Sequence, residues 1–344
     1  MIRLLFLVFC IMALISQSIA QQHKKLKVLF LGNSYTYVNN LPQLIKDIAL
    51  ANGDTLLFDS NCPGGYTFNN HFNNATSISK INSQAWDNVI LQAQSQEPSF
   101  PPAQVEVQTL PYAIKLDSVI QHNNDCTETV FFETWGRKYG DASNCSSYPP
   151  ICTYIGMQDR LRASYKLFAD TTRAIMSPAG EAWRKSISLN PTLELYSSDQ
   201  SHPSLEGSYL TACVFYEVLF HKSVLTNTYT AGVSATNIPF LQQVAHDVVN
   251  DSLLVWNIGK YNPCNITGVN AIFYNKNIVL YPNPAQNVLN TNLDSSYKIY
   301  DVLGNLCLLG DKSKTINIET LKSGVYFIEL FSSDSSKKIR FVKE

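Results

Sequence analysis

Two textures of hydrophobic patterning run along the chain. From Lys25 to about Phe220, short apolar runs alternate with stretches whose apolar residues recur at helical spacing. Residues 28–31, 56–58, 89–91, 129–132 and 193–196 predict strands. Between them, Leu41, Leu44, Ile45, Ile48 and Ala49 predict a helix. So do residues 105–120, with Pro111 at a start or kink, and 157–174, with Leu161, Tyr165 and Phe168 on one face. Residues 205–220 predict the helix after the last strand. Strand–helix alternation with continuous apolar strands predicts an α/β fold, a parallel sheet covered on both faces. Active sites in such folds gather at the carboxyl ends of the strands.

Residues 226–256 form a further piece, helical in its second half, where Leu241, Val244, Ala245 and Val248 are in register. Tyr261-Asn262-Pro263 breaks it. After Ala271, strand-like runs at 278–281, 297–300, 315–318 and 325–330 are separated by Pro, Gly and Ser turns, the pattern of a small all-β module. At the other end, Arg3 precedes an uncharged apolar run over 4–15, and Ser18-Ile19-Ala20 offers a small-x-small cleavage site before Gln21. The run is too short to span a bilayer and polar sequence follows, so it reads as a secretory signal peptide; an N-terminal anchor is the alternative. The expected organisation is a signal peptide at 1–20, a catalytic domain at 21–260, a linker at 261–270 and the β module at 271–344.

Composition agrees with export. A net charge of −1 with no basic run argues against a nucleic-acid partner. The chain is 45% hydrophobic, enough for a proper core, and only 15% charged, with Asn, Ser, Thr and Tyr filling the surface role. Of eight cysteines, Cys10 leaves with the signal. Cys145 and Cys152 flank Ser-Ser-Tyr-Pro-Pro and are the disulfide candidates. Cys213 sits in an apolar run and reads as a buried thiol. No CxxC pair or His/Cys cluster suggests a metal, and no organic cofactor is implied.

The chemistry-bearing residues lie in the α/β piece. Gly32-Asn33-Ser34 ends the first strand in a turn, and a serine there lies near backbone N–H groups that favour a developing oxyanion. Strand-end serines are more often caps or turn residues. Far downstream, Ser198-Asp199-Gln200-Ser201-His202-Pro203 follows the last predicted strand. There His202 is a candidate general base, with Asp199 to fix its tautomer. A surface loop with a helix cap is the alternative, but two such blocks at strand ends favour chemistry.

Gly32-Asn33-Ser34, Gly64-Gly65 after the second strand and Asp199-x-x-His202 together resemble the SGNH/GDSL hydrolase superfamily, in particular its exported Bacteroidetes-type members, over about residues 25–220. The resemblance implies a flavodoxin-like sheet and a Ser34–His202–Asp199 triad. It implies an oxyanion hole built by the N–H of Ser34, that of Gly65 or Gly64, and an Asn amide. The chain departs from the family at that Asn: the third block reads Leu91-Gln92-Ala93-Gln94-Ser95-Gln96. A Gln amide donates as Asn does, and Gln94, then Gln92, is the expected substitute. The alternative is that these glutamines satisfy only loop backbone groups. Trp135 and Arg137, after the fourth strand, are candidates to line a substrate cleft, with Tyr66, Phe68 and Tyr139 as further rings. Trp135 is equally a candidate core residue, and His71, in an Asn-rich loop, reads as solvated.

The tail has its own resemblance. Tyr281-Pro282-Asn283-Pro284, Tyr300-Asp301-x-x-Gly304, Leu321-x-x-Gly324-Val325-Tyr326 and the terminal Lys337-Lys338-Ile339 are similar to the C-terminal sorting domain of type IX secretion substrates. The resemblance implies a small all-β sandwich, an outer-membrane secretion machinery as partner and a secreted or cell-surface location after signal cleavage, with no membrane span in the mature chain. The expected function is a secreted serine esterase for a short, acetyl-type ester on a carbohydrate. A non-catalytic acyl-glycan-binding module and an acyltransferase with the same triad are the rivals.

Overall fold

The computed structural model describes residues 23–261, 264, 280–301, 305–332 and 335–344. The expected signal peptide lies outside the described residues, as does nearly all of the expected linker. The chain divides into two compact units, Met1–Asn262 and Pro263–Glu344.

The first unit is a parallel sheet of β1 (Lys25–Leu31), β2 (Thr55–Asn61), β3 (Asn88–Leu91), β4 (Glu128–Phe132) and β5 (Ile175–Ser177), in the order β2-β1-β3-β4-β5. That is the flavodoxin-like order, in which direction reverses beside β1. Residues 28–31 of β1 pair with all of β3 on one edge while β2 takes the other, so Val28, Leu29, Phe30 and Leu31 are buried on both faces. Alternation along β4 shows how both faces are filled. Phe131 meets Phe68 and Phe168 on one side, and Phe132 meets Phe215 at 4.9 Å on the other. Phe215 belongs to the helix Leu205–Phe220, which is buried at every residue from Gly207 on and has Leu41–Ala51 and Ile238–Asn250 as neighbours.

Two elements differ from expectation. Residues 193–196 are not the last strand; that place belongs to Ile175–Ser177, only three residues long and too short to show a period. Residues 193–196 follow the helix Ala179–Leu189, which the pattern also hid, and Tyr196 makes only an isolated antiparallel bridge to Pro203. The helix expected over 105–120 is two helices, Pro102–Gln108 and Leu110–Asn123, with Pro111 in the first turn of the second. Proline lacks the N–H that would continue the first helix, and its ring would clash with the preceding turn.

Cys145 and Cys152 are bonded, with Cα atoms 4.7 Å apart. Among the described residues Cys62, Cys213 and Cys307 are free, and burial pushes the Cys62 thiol up to about 12. Closing so short a loop removes little chain entropy, so reducing this bond should cost about 2–3 kcal/mol, read as a shift in urea midpoint between native protein and a Cys145→Ser/Cys152→Ser variant. An unchanged midpoint would show that the loop is held by its other contacts.

The second unit is all-β. Its strands β6 (Leu280–Tyr281), β7 (Val288–Tyr300), β8 (Leu306–Asn317), β9 (Gly324–Ser332) and β10 (Ser335–Lys343) join in one antiparallel sheet around β7. Leu289, Ile299, Ile316, Ile328, Leu330 and Phe341 form its own core. No helix among the described residues of the chain is long and apolar enough to cross a membrane.

Candidate active site

Ser34 opens a one-turn helix, Ser34–Tyr37, just beyond the carboxyl end of β1. The turn before it is locked from three sides. Asn33 caps the helix by accepting the Tyr35 N–H and donates its amide to the carbonyls of Tyr66 and Ala93, which lie beyond β2 and β3. The Asn33 N–H donates to Gln92 Oε1 at 2.8 Å, and the Thr36 hydroxyl donates to the same oxygen. A side chain at Gly32 would place its Cβ 2.5 Å from Thr36 Oγ1 and 2.8 Å from Gln92 Oε1, so only glycine fits there. As the first residue of a helix, Ser34 has an N–H with no intrahelical acceptor.

The third support was not read from the sequence. His71 is fully buried rather than solvated. Its Nε2 lies 2.9 Å from the Gly32 carbonyl and its Nδ1 2.8 Å from Ser77 Oγ, which also accepts from Asn61. With Nε2–H donating to the carbonyl, Nδ1 accepts from Ser77. Burial holds its pKa down to about 4, although the Gly32 carbonyl pulls the other way. A depressed histidine contributes stability that is complete above its unfolded value near 6.5 and is lost as pH falls towards 4. The loss should reach about 3 kcal/mol, seen as a fall in urea midpoint between about pH 6.5 and 4 that is shallower in His71→Asn. Equal slopes in the two proteins would remove this assignment.

Asp199 and His202 lie on the loop between residue 196 and the helix Leu205–Phe220, whose N-cap is Ser204. The structure brings them to Ser34. His202 Nε2 is 2.8 Å from Ser34 Oγ, and His202 Nδ1 is 2.5 Å from Asp199 Oδ2. The other Asp199 oxygen accepts the backbone N–H groups of Ser201 and His202. Partial burial pushes Asp199 upward, but the hydrogen bonds from the His202 ring and these two N–H groups outweigh it and hold the carboxyl below its ordinary value. It stays ionised and can stabilise an imidazolium. The side chains of His202 and Asp199 are 34% and 49% exposed, so the pair opens to solvent.

The loop takes its position from an aromatic column. Tyr35 stacks on Trp135 at 4.8 Å, Trp135 on Trp183 at 3.9 Å, and Tyr196 stands edge-on to Trp183. Trp135 is thus fully buried and does not line a cleft; its Nε1 donates to the Ser201 carbonyl. Phe68 is likewise buried against Phe131. Both rings are taken up by core packing, Phe68 on Phe131 and Trp135 on Phe132. Arg137 is half-buried, with Nη1 3.4 Å from the fully buried carboxylate of Asp141. Tyr139 is 72% exposed and Tyr66 half-buried.

The glutamines separate. Gln92 is fully buried, its oxygen taken by Asn33 and Thr36 and its amide by the Ala93 carbonyl, so it shapes the turn before Ser34 and is not free to donate to an oxyanion. Gln94 Oε1 accepts the N–H groups of Gln96 and Glu97, and its amide donates to Gln96 Oε1. Gln96 in turn donates to Asp141, which also holds Asn144 beside the disulfide. Gly65, at φ +72°, sits in the turn closed by the Tyr66 N–H on the Pro63 carbonyl.

Residues 279–344 match the secretion system C-terminal sorting domain, which marks the chain for secretion to the cell surface or beyond and implies type IX machinery as a partner. No curated protein matches the chain. Among solved structures, a DUF4886 family protein from Bacteroides uniformis is similar at 18% identity with a TM-score of 0.55, covering 67% of this chain and 95% of that one. This likeness shows the fold of the first unit. A putative SGNH hydrolase from Slackia heliotrinireducens is 23% identical (TM-score 0.47; 56% of this chain, 98% of that one). A putative GDSL-like lipase from Parabacteroides merdae is 16% identical (TM-score 0.42; 58% and 99%). The structural neighbours are SGNH/GDSL hydrolase-like proteins.

Proposed function

We propose that this chain is a secreted serine esterase. The observation that carries the reading is the unbroken line from Ser34 Oγ through the His202 ring to Asp199, at 2.8 and 2.5 Å. Nucleophile, base and orienting carboxylate stand within hydrogen-bond reach of one another, the arrangement that activates a hydroxyl otherwise too weak to attack an ester. Ser34 Oγ attacks the acyl carbon as its proton passes to His202 Nε2. The imidazolium, stabilised by Asp199, returns that proton to the departing alkoxide. Water, deprotonated by the same ring, then releases the acid.

The donors for the developing oxyanion are the Ser34 N–H, the Gly65 N–H and the Gln94 amide hydrogen that is not spent on Gln96. The fixed cap on Asn33 and the glycine-only turn at Gly32 support a pre-set site, which makes such donors effective. The substrate is a short acyl group, acetyl first, on a carbohydrate. Tyr37 and Tyr139, at 53% and 72% exposure, offer ring faces and hydroxyls suited to a sugar. Secretion also places the enzyme among extracellular glycans.

A fluorophosphonate probe should label Ser34, and nitrophenyl esters should react more slowly from acetate to octanoate, with acetate released from an acetylated polysaccharide. No labelling would leave a binding module. A rate that climbs with chain length would overturn the substrate class, and acetyl transfer to an added sugar would make the chain an acyltransferase.

A further inference from the structure

Catalysis by a triad needs its members held to a fraction of an ångström, and here the His202 loop has no strand behind it. Its flanks are tied instead to the nucleophile segment itself. Tyr35, next to Ser34, is buried and places its hydroxyl 2.7 Å from Ser201 Oγ, while its ring stands edge-on to His202 at 5.4 Å and 70°. Asn39 lies on the other side. Its amide donates to the carbonyls of Pro203 at 3.2 Å and Ser204 at 3.0 Å, and reaches Ser208 Oγ at 3.0 Å. Ser201 and Pro203 are the two neighbours of His202, so the contacts bracket it. The loop closes on itself through the Ser197 N–H on the His202 carbonyl and the Ser197 hydroxyl on the Pro203 carbonyl.

Asn39 also carries a backbone cost. It sits at φ 54°, ψ 15°, and Asn40 follows at φ 53°, ψ 56°. Two successive left-handed residues after the nucleophile are unfavourable for side-chain-bearing residues, with Asn among the most tolerant. Glycine would relieve that strain but has no amide to donate. The residue present keeps the strained turn and makes the bonds.

We infer that Tyr35 and Asn39 are positioning residues that clamp the His202 loop from both sides and set the Ser34–His202 distance. The inference rests on the esterase reading for its kinetic effect and on geometry alone for its structural one. Neither side chain makes a hydrogen bond to the reacting atoms: Asn39 acts through the loop backbone, and Tyr35 through Ser201 and its edge-on contact with the His202 ring.

The test compares Tyr35→Phe, Asn39→Gly, Asn39→Ala and Asn227→Ala in the full chain. Asn227 bonds to Ile48 and Asn52, at the far end of the helix Leu41–Ala51 from Ser34, and serves as a control for ordinary loss of buried bonds. Turnover of nitrophenyl acetate, fluorophosphonate labelling rate, Tm and hydrogen exchange of the amides over 197–204 are measured together. Tyr35→Phe and Asn39→Gly should each lower kcat about tenfold to a hundredfold with KM within twofold, slow labelling in parallel and speed exchange over 197–204. Asn227→Ala should lower Tm alone. Full kcat in Asn39→Gly with loss only in Asn39→Ala would mean that backbone shape alone matters and would overturn the Asn39 clamp. Unchanged kcat and exchange in Tyr35→Phe would overturn the other. A wild-type chain inert to probe and ester would sink the esterase reading, and the exchange rates would then decide the clamps by themselves.

Discussion

Ser34→Ala should lower ester turnover by about a thousandfold or more, and adding His202→Ala should lower it little further. The reason is the shared proton. His202 Nε2 lies 2.8 Å from Ser34 Oγ, and in the proposed mechanism it acts on water only after the acyl-enzyme has formed, so without the hydroxyl the base has no first step to serve. His202→Ala alone should fall nearly as far, because the serine then attacks as an un-ionised alcohol. Asp199→Asn should cost less, since the Asp199 carboxylate acts on the ring and not on the substrate. Far-UV spectra and Tm of the single variants should stay close to the parent, as both side chains are partly exposed. The measurement is kcat/KM on nitrophenyl acetate for the two singles and the double. Losses that multiply would mean the two side chains act independently, and a fully active Ser34→Ala would remove the mechanism.

Trp135→Ala should be the most damaging single change to the fold, at about 3–5 kcal/mol. The indole is fully buried between Tyr35 and Trp183, and its Nε1 holds the Ser201 carbonyl. Removing it leaves a cavity in the aromatic column and frees that carbonyl, so stability and activity should fall together. Trp135→Phe keeps a stacking ring and loses the donor. It should recover most of the stability but leave kcat reduced. Chemical denaturation and kinetics on both variants check this; a Trp135→Ala protein with native midpoint and native kcat would show that the column does not support the loop.

Much of the site was legible because its signals are local. Gly32-Asn33-Ser34 carries its own turn chemistry: a glycine where no Cβ fits, a capping Asn and a serine at a helix start. The short spacing of Asp199 and His202 lets the carboxylate reach both the ring and the backbone N–H of the same loop. Cys145 and Cys152 are close in sequence and therefore close in space. The tail's Tyr-Pro-Asn-Pro and Gly-Val-Tyr elements lie within the matched sorting domain.

What failed depended on neighbours distant in sequence. A donating amide made Gln94 and Gln92 alike as candidates but could not say which groups awaited them; the Asn33 N–H, 59 residues away, captured Gln92. His71 reads as polar in an Asn-rich loop, and only the packing of that loop over β1 buries it on the Gly32 carbonyl. Ile175–Ser177 is a strand only because β4 lies beside it.

The sequence by itself determined the α/β plan, the Gly32-Asn33-Ser34 turn, the local Asp199–His202 pairing and the sorting tail, since each rests on periodicity or on contacts within a few residues. Only the tertiary structure decided how the triad is assembled. The 168-residue separation of Ser34 and His202 is closed by the sheet order, and the loop is held by Tyr35, Asn39 and the Trp135 column instead of a strand. Such contacts leave no period in the chain, because a hydrogen bond or a stacked ring fixes the distance between two side chains and not their spacing in sequence.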